Sequence, residues 1–164
     1  MIKSARLIQA LHNHDCIAIY PWPDRPTKLL LGFVLYHNEN WIALDLVNPE
    51  GEEDGVFLCS WSQVFRIETG TRYNKEMANG RAANGLSEEA QFSEEALFHY
   101  AVQNNVQVSV MRKEGQKEIR GVVDDITSNA LILRSGQNGD KRYEFCVTDG
   151  DLAYLWFEVP ISKI

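Results

Sequence analysis

The feature that most limits how this 164-residue chain folds is a pattern that occurs twice. Gly32-Phe33-Val34 leads into a polar turn at 37–40 and an apolar run through Leu44, and Gly121-Val122-Val123 leads into a polar turn and an apolar run through Leu133. Gly121 follows Gly32 by 121 − 32 = 89 positions, and the same offset pairs Val34 with Val123, Asn40 with Asn129 and Leu44 with Leu133. So many matches in one register indicate an internal repeat, which constrains the architecture before any single element is placed. An 89-residue spacing in a chain of this length favours two small units over one large one.

Each unit reads as a short helix followed by five short strands. Ala5, Ile8 and Leu11 lie at helical spacing after a capping Ser4, and Ser93-Glu94-Glu95 opens a second helix through Leu97 and Ala101 at what is expected to be the same offset. Strands are expected at 16–20, 28–36, 41–47, 56–60 and 64–68, and again at 106–111, 118–124, 130–134, 142–147 and 152–158, from their branched and aromatic content. Residues 21–26 hold three prolines, which lack the amide hydrogens of a sheet ladder, and so form a stiff loop. Gly, Asn, Ala and charged residues between 69 and 92 suggest a linker. The expected division is a first unit at 1–70, a linker at 71–92 and a second unit at 93–164.

Gly32-x-Val34 with Asn40 and Leu44, and Gly121-x-Val123 with Asn129 and Leu133, resemble the first motif of Sm-like proteins. That resemblance implies a mainly β chain with short helices, built as two tandem Sm-like five-stranded bent small barrels, each with an N-terminal helix. It also implies a possible homo-oligomer through barrel edge strands, since open edges must be paired or protected. The chain departs from the family where the family binds RNA. The turns at 37–40 and 125–128 lack the Asp-x-x-Met/aromatic-Asn form, and Phe65-Arg66-Ile67-Glu68 and Leu155-Trp156-Phe157-Glu158 carry no Arg-Gly pair.

A net charge of −7 sets an unfavourable field for polyanions, so nucleic acid is a disfavoured partner. Residues 16–68 hold three Lys and Arg against eight Asp and Glu, a net of −5, whereas 106–148 hold seven against six, a net of +1. A candidate nucleic-acid patch is therefore Arg112, Lys113, Lys117 and Arg120, although Glu114 and Glu118 interleave the same hairpin. No apolar run approaches the roughly 18 to 20 residues of a membrane span, and the N-terminal residues lack a signal-peptide core, so a cytoplasmic protein without a membrane partner is expected.

Chemistry is sparse. His12, His14 and Cys16 could ligate a metal, but a helix end followed by a strand points them apart, and no metal or cofactor is assigned. Cys59 and Cys146 fall in matching strands and read, with Cys16, as reduced and mostly buried thiols; neither His37 nor His99 is placed beside one by sequence. No GxSxG, HExxH or phosphate-cradling loop is present, so no catalytic residue is assigned and an enzyme is not expected. Trp22, between Pro21 and Pro23, is expected to be exposed, whereas Trp41, Trp61 and Trp156 fit strand cores. Trp22, Asp24 and Arg25, with Glu52 and Glu53 of the acidic turn 50–54, form the candidate partner-binding surface. Non-enzymatic association, most simply as a protein-binding or scaffolding module, is the expected function; RNA binding is the alternative, and a small-molecule-binding or enzymatic domain the second.

Overall fold

Local signals place the two helices. Ser93 Oγ accepts from Ala96 N at 3.3 Å, closing the first turn of the helix Glu94–Gln103. The N-terminal helix Ala5–His12 buries Leu7, Ala10 and Leu11. Both helices turn into a strand through a residue in the left-handed region, His14 (φ 56°) and Asn105 (φ 48°). The computed structural model describes residues 5–22, 24–72, 74–77, 93–113, 117–127, 129–147 and 152–164.

The elements are α1 (Ala5–His12), β1 (Cys16–Tyr20), β2 (Leu30–His37), β3 (Trp41–Val47), β4 (Glu53–Ser60), β5 (Arg66–Thr69), α2 (Glu94–Gln103), β6 (Gln107–Arg112), β7 (Ile119–Ile126), β8 (Ala130–Ser135), β9 (Lys141–Cys146) and β10 (Leu152–Phe157). The protein is mainly β, with one antiparallel ten-stranded sheet in the order β5-β1-β2-β3-β4-β10-β6-β7-β8-β9. The sheet does not close on itself, and β5 and β9 are its ends among the described residues. Short 3-10 turns lie at Trp61–Gln63, Gln137–Gly139 and Ile161–Lys163, and the strand pattern announces neither the first nor the last of them. Of the expected linker, 78–92 lies outside the described residues, as do Ser4, Pro23 and the hairpin tip 114–116; a helical turn at 72 and 74–77 starts from Thr71, whose Oγ1 accepts from Asn74 N.

The backbone bonds of one half recur in the other. Asn38 N donates to Trp41 O and Thr127 N to Ala130 O, both at the 89-residue offset. At these turns Asn38 Oδ1 accepts from Asn40 N and Trp41 N, and Thr127 Oγ1 accepts from Asn129 N and Ala130 N. In β2 the register against β3 shifts between Val34 and Tyr36, and in β7 the register against β8 shifts between Val123 and Asp125, again 89 positions on. Gly32 and Gly121 permit these bent hairpins: a Cβ on either would stand 2.9 Å from Leu44 Cβ or 2.7 Å from Arg134 O. The helices are displaced by 91 positions rather than 89, as shown by Asp15 N to Ala10 O and Val106 N to Ala101 O. The β6–β7 hairpin is two residues shorter than β1–β2, since Ile19 pairs with Leu30 and Val110 with Ile119.

The halves meet where β4 pairs with β10, from Val56↔Phe157 to Cys59↔Tyr154. Side chains alternate across this joint. Val56, Leu58, Leu155 and Phe157 enter one buried cluster with Leu97, Val108, Val123, Leu131 and Leu133. Phe57, Cys59 and Tyr154 enter the other, with Leu7, Ile17, Ile19, Ile42 and Leu44. Every residue of β3 is buried, as are 55–60 in β4, the mark of strands covered on both faces. Glu53 and Asp54, expected in the turn, are instead the first residues of β4 because Val47 pairs with Glu53.

Gly55 makes the joint possible. Its φ is +101°, and a Cβ there would lie 2.5 Å from Phe157 O. Gly55→Ala is expected to lower the unfolding free energy by about 3 kcal/mol, from left-handed strain together with a backbone clash. Gly70, at φ +68° with nothing within 4 Å of its Cβ position, is the control, and its Ala variant should cost only about 1 kcal/mol of strain. Urea denaturation of both variants measures the difference.

Candidate interaction surfaces

Antiparallel pairing brings the C-terminal ends of β1 and β3 and the N-terminal ends of β2 and β4 to one end of the sheet. The proline loop and the acidic turn therefore share that end. The loop is shaped by two successive turns, Arg25 N to Trp22 O and Lys28 N to Arg25 O, both 3.0 Å. Asp24 and Arg25 are exposed and stand 3.9 Å apart. In the turn, Asn48 Oδ1 accepts from Glu50 N and Glu52 N, leaving the Glu52 side chain exposed. Glu53 is half-buried and accepts from Ser162 Oγ at 2.8 Å.

Trp22 is half-buried rather than exposed. Its ring meets Tyr154 edge-on at 6.1 Å, and Lys28 Nζ lies 4.3 Å from the ring centroid on the loop side. An aromatic at the end of β1 thus packs on β10 of the other half. Trp41 is buried as expected, while Trp61 and Trp156 are half-buried, each donating its indole N–H to a carbonyl, of Asn38 and Asp54.

The cationic hairpin is partly neutralised. Arg120 is bonded to Glu158 at 2.7 Å, and the Arg112 guanidinium lies 4.9 Å from the Phe145 ring centroid. Lys113 is half-buried and Lys117 exposed. Glu118 of the same hairpin accepts from Tyr154 Oη, and burial first, then this bond, raises the Tyr154 pKa. Tyr154 therefore holds the base of the hairpin and the Trp22 ring at once.

A second polar cluster links the halves. Tyr36 Oη accepts from Trp41 Nε1 at 2.7 Å and Asn38 Nδ2 at 2.8 Å, and donates to Glu94 Oε2 at 3.2 Å. Burial pushes the Tyr36 pKa up to about 12 and raises that of Glu94. Beside it an open groove of ≈ 460 Å³ is lined by Glu94, Glu95, His99 and Asp125 over Phe98 and Ile126, a carboxylate-rich surface unsuited to phosphate. Sequence spacing alone does not reveal this cluster, because Tyr36 and Glu94 belong to different halves.

The thiols offer no nucleophile where the core holds them. Cys59 is completely buried and its pKa is raised by desolvation, which suppresses the thiolate. Cys146 is exposed instead of buried, because β9 alternates and Phe145 takes the inward position. His14 Nδ1 lies 2.8 Å from Val34 O, Cys16 is buried and His12 is exposed, so the 12–16 segment directs these groups apart; no metal-ligand cluster occurs among the described residues. No helix among the described residues is long and apolar enough to cross a membrane. Compared with family models, curated proteins and solved structures, the chain matches none.

Trp22→Ala should lower stability by about 2 kcal/mol, below the 3–5 kcal/mol of a fully buried Trp, as measured by chemical denaturation. Glu94 supplies a pH test. A carboxyl with a raised folded pKa holds its proton more tightly when folded, so its contribution is full below the ordinary value of 4.5 and is lost as pH rises through the raised one. Glu94→Gln should flatten the fall in melting temperature just above pH 4.5. Asp54, raised first by burial and then by Glu158, adds a fall of the same sign that Glu94→Gln leaves in place.

Proposed function

We propose that the chain is a non-enzymatic protein-interaction module made of two Sm-like units, 1–70 and 93–164, joined through 71–92. The observation that carries the reading is the strand order, in which β5-β1-β2-β3-β4 and β10-β6-β7-β8-β9 repeat one plan and meet edge to edge. The recurring turn bonds, the shared register shifts and the Gly-x-Val resemblance support it. A scaffold of this kind offers loops at the sheet ends and backbone at its edges, and both are surfaces for another protein.

Asp24, Arg25 and Glu52 are the exposed members of the candidate partner surface, with Trp22 and Glu53 supporting the loop and turn that display them. Such a mixed-charge patch favours a protein partner over a polyanion. Arg112, Lys113, Lys117 and Arg120 remain the residues an RNA would use, and the Glu158 and Glu118 contacts at their base weigh against that use. The buried Cys59 thiol weighs against covalent catalysis.

Affinity capture from cell extract, with and without nuclease, tests the reading. The expected result is a partner that survives nuclease and is lost when Asp24→Lys, Arg25→Glu and Glu52→Lys are combined. Recovery that disappears with nuclease, or with Arg112, Lys113, Lys117 and Arg120 changed to Glu, overturns it in favour of RNA.

A further inference from the structure

We propose that the groove between α2 and the end of β7 is a docking site for a basic segment of another protein, one that carries lysine or arginine among apolar residues. The groove shares no residue with Asp24, Arg25 and Glu52, so it is a second surface and does not depend on the first.

The helix supplies one wall. Glu94, Phe98 and Val102 recur every four residues and fall on one side of α2, with Glu95 and His99 in the adjoining row. β7 supplies the other wall. Asp124 is bonded to Arg134 at 3.0 Å, whereas Asp125, just past the register shift against β8, lines the groove with Ile126. Phe98 and Ile126 are buried and close the floor, while Glu95, His99 and Asp125 are exposed at the rim.

Three carboxylates line this groove without a cation. Among the described residues no lysine or arginine is ion-paired to Glu94, Glu95 or Asp125. Burial raises the Glu94 pKa against the bond from Tyr36, and Glu95 raises it further, so a positive charge seated here relieves a repulsion already present. The dipole of α2 favours Glu94 and Glu95 in its first turn, but Asp125 lies on a strand and serves no helix end. Nor does the repeated plan call for these acids. At the 91-residue offset of the helices the sequence has Lys3, Ser4 and Ile8 in place of Glu94, Glu95 and His99, and at the 89-residue offset of the hairpins it has Tyr36 in place of Asp125.

The occupant follows from an acidic rim set over an apolar floor. A lysine or arginine lays its methylene stem along apolar surface and keeps its charge at the edge, which here meets the carboxylates, and apolar neighbours extend the contact toward the half-buried Val102. A bare divalent ion fits less well: it needs a cage of oxygens, the floor is hydrocarbon, and no metal-ligand cluster occurs among the described residues. The net charge of −7 draws a basic segment from a distance.

Titration of the full-length ¹⁵N-labelled chain with a capped peptide of alternating leucine and arginine tests this at low ionic strength. The amides of 94–102 and 125–127 should shift and saturate, and added salt should weaken the binding. Glu95→Gln combined with Asp125→Asn should weaken it about tenfold with an unchanged circular-dichroism spectrum, whereas Asp24→Asn combined with Glu52→Gln should leave it as it was. A peptide of alternating serine and arginine should bind the wild type more weakly, because it cannot use the floor. Shifts that never saturate, that spread equally to 24 and 52, or that magnesium ions alone reproduce overturn the proposal, as does equal binding of the serine peptide. Since the two surfaces share no residue, failure here leaves the nuclease-resistant partner of Asp24, Arg25 and Glu52 to its own test.

Discussion

The β4–β10 pairing is the interaction on which the rest depends, because its side chains are shared between two cores. With successive residues pointing to opposite faces, Phe57 and Tyr154 complete the cluster under α1, while Leu58 and Leu155 complete the cluster under α2. Neither half keeps its buried surface if the strands separate. Small units of this size bury too little on their own for wide stability margins, so a shared wall is a direct physical remedy. It also accounts for the uninterrupted apolar character of Val56 to Cys59 and Leu152 to Phe157, which no half-exposed strand would tolerate.

Contacts around this wall fix its angle. Trp22 and Glu118 both meet Tyr154 from opposite halves, Trp156 donates its indole N–H to Asp54 O, and Ser162 reaches Glu53. On another side Tyr36 ties the β2–β3 turn to the first turn of α2 through Glu94. These are polar or aromatic anchors at the rim of an apolar joint. They restrict relative motion of the halves more than they add to burial, since directional bonds fail with small displacements.

Local features of the fold were legible in the sequence. The β2–β3 and β7–β8 hairpins are set by a glycine at close approach, a polar turn capped by Asn38 or Thr127, and branched strands, all within about 15 residues. Pairings between halves were not legible, because nothing near Trp22 in sequence points to Tyr154, 132 positions away. Trp22 therefore reads as an exposed loop residue although it caps the joint. Cys146 fails differently: its strand was identified, but the face depends on register, and one step along β9 exchanges the buried Phe145 for an exposed thiol. The candidate surface was legible only where exposure follows from charge, as at Asp24, Arg25 and Glu52.

Matching backbones with divergent side chains explain why the halves have different chemistry. Positions that are Val56 and Leu58 in β4 are Arg142 and Glu144 in β9, and positions that are Leu155 and Phe157 in β10 are Ile67 and Thr69 in β5. The backbone position in the half is the same in each case, so the difference lies in the side chains. Four buried apolar residues make the internal joint part of the folding unit, whereas Arg142 and Glu144 in β9 and Ile67 and Thr69 in β5 stand at the ends of the sheet among the described residues.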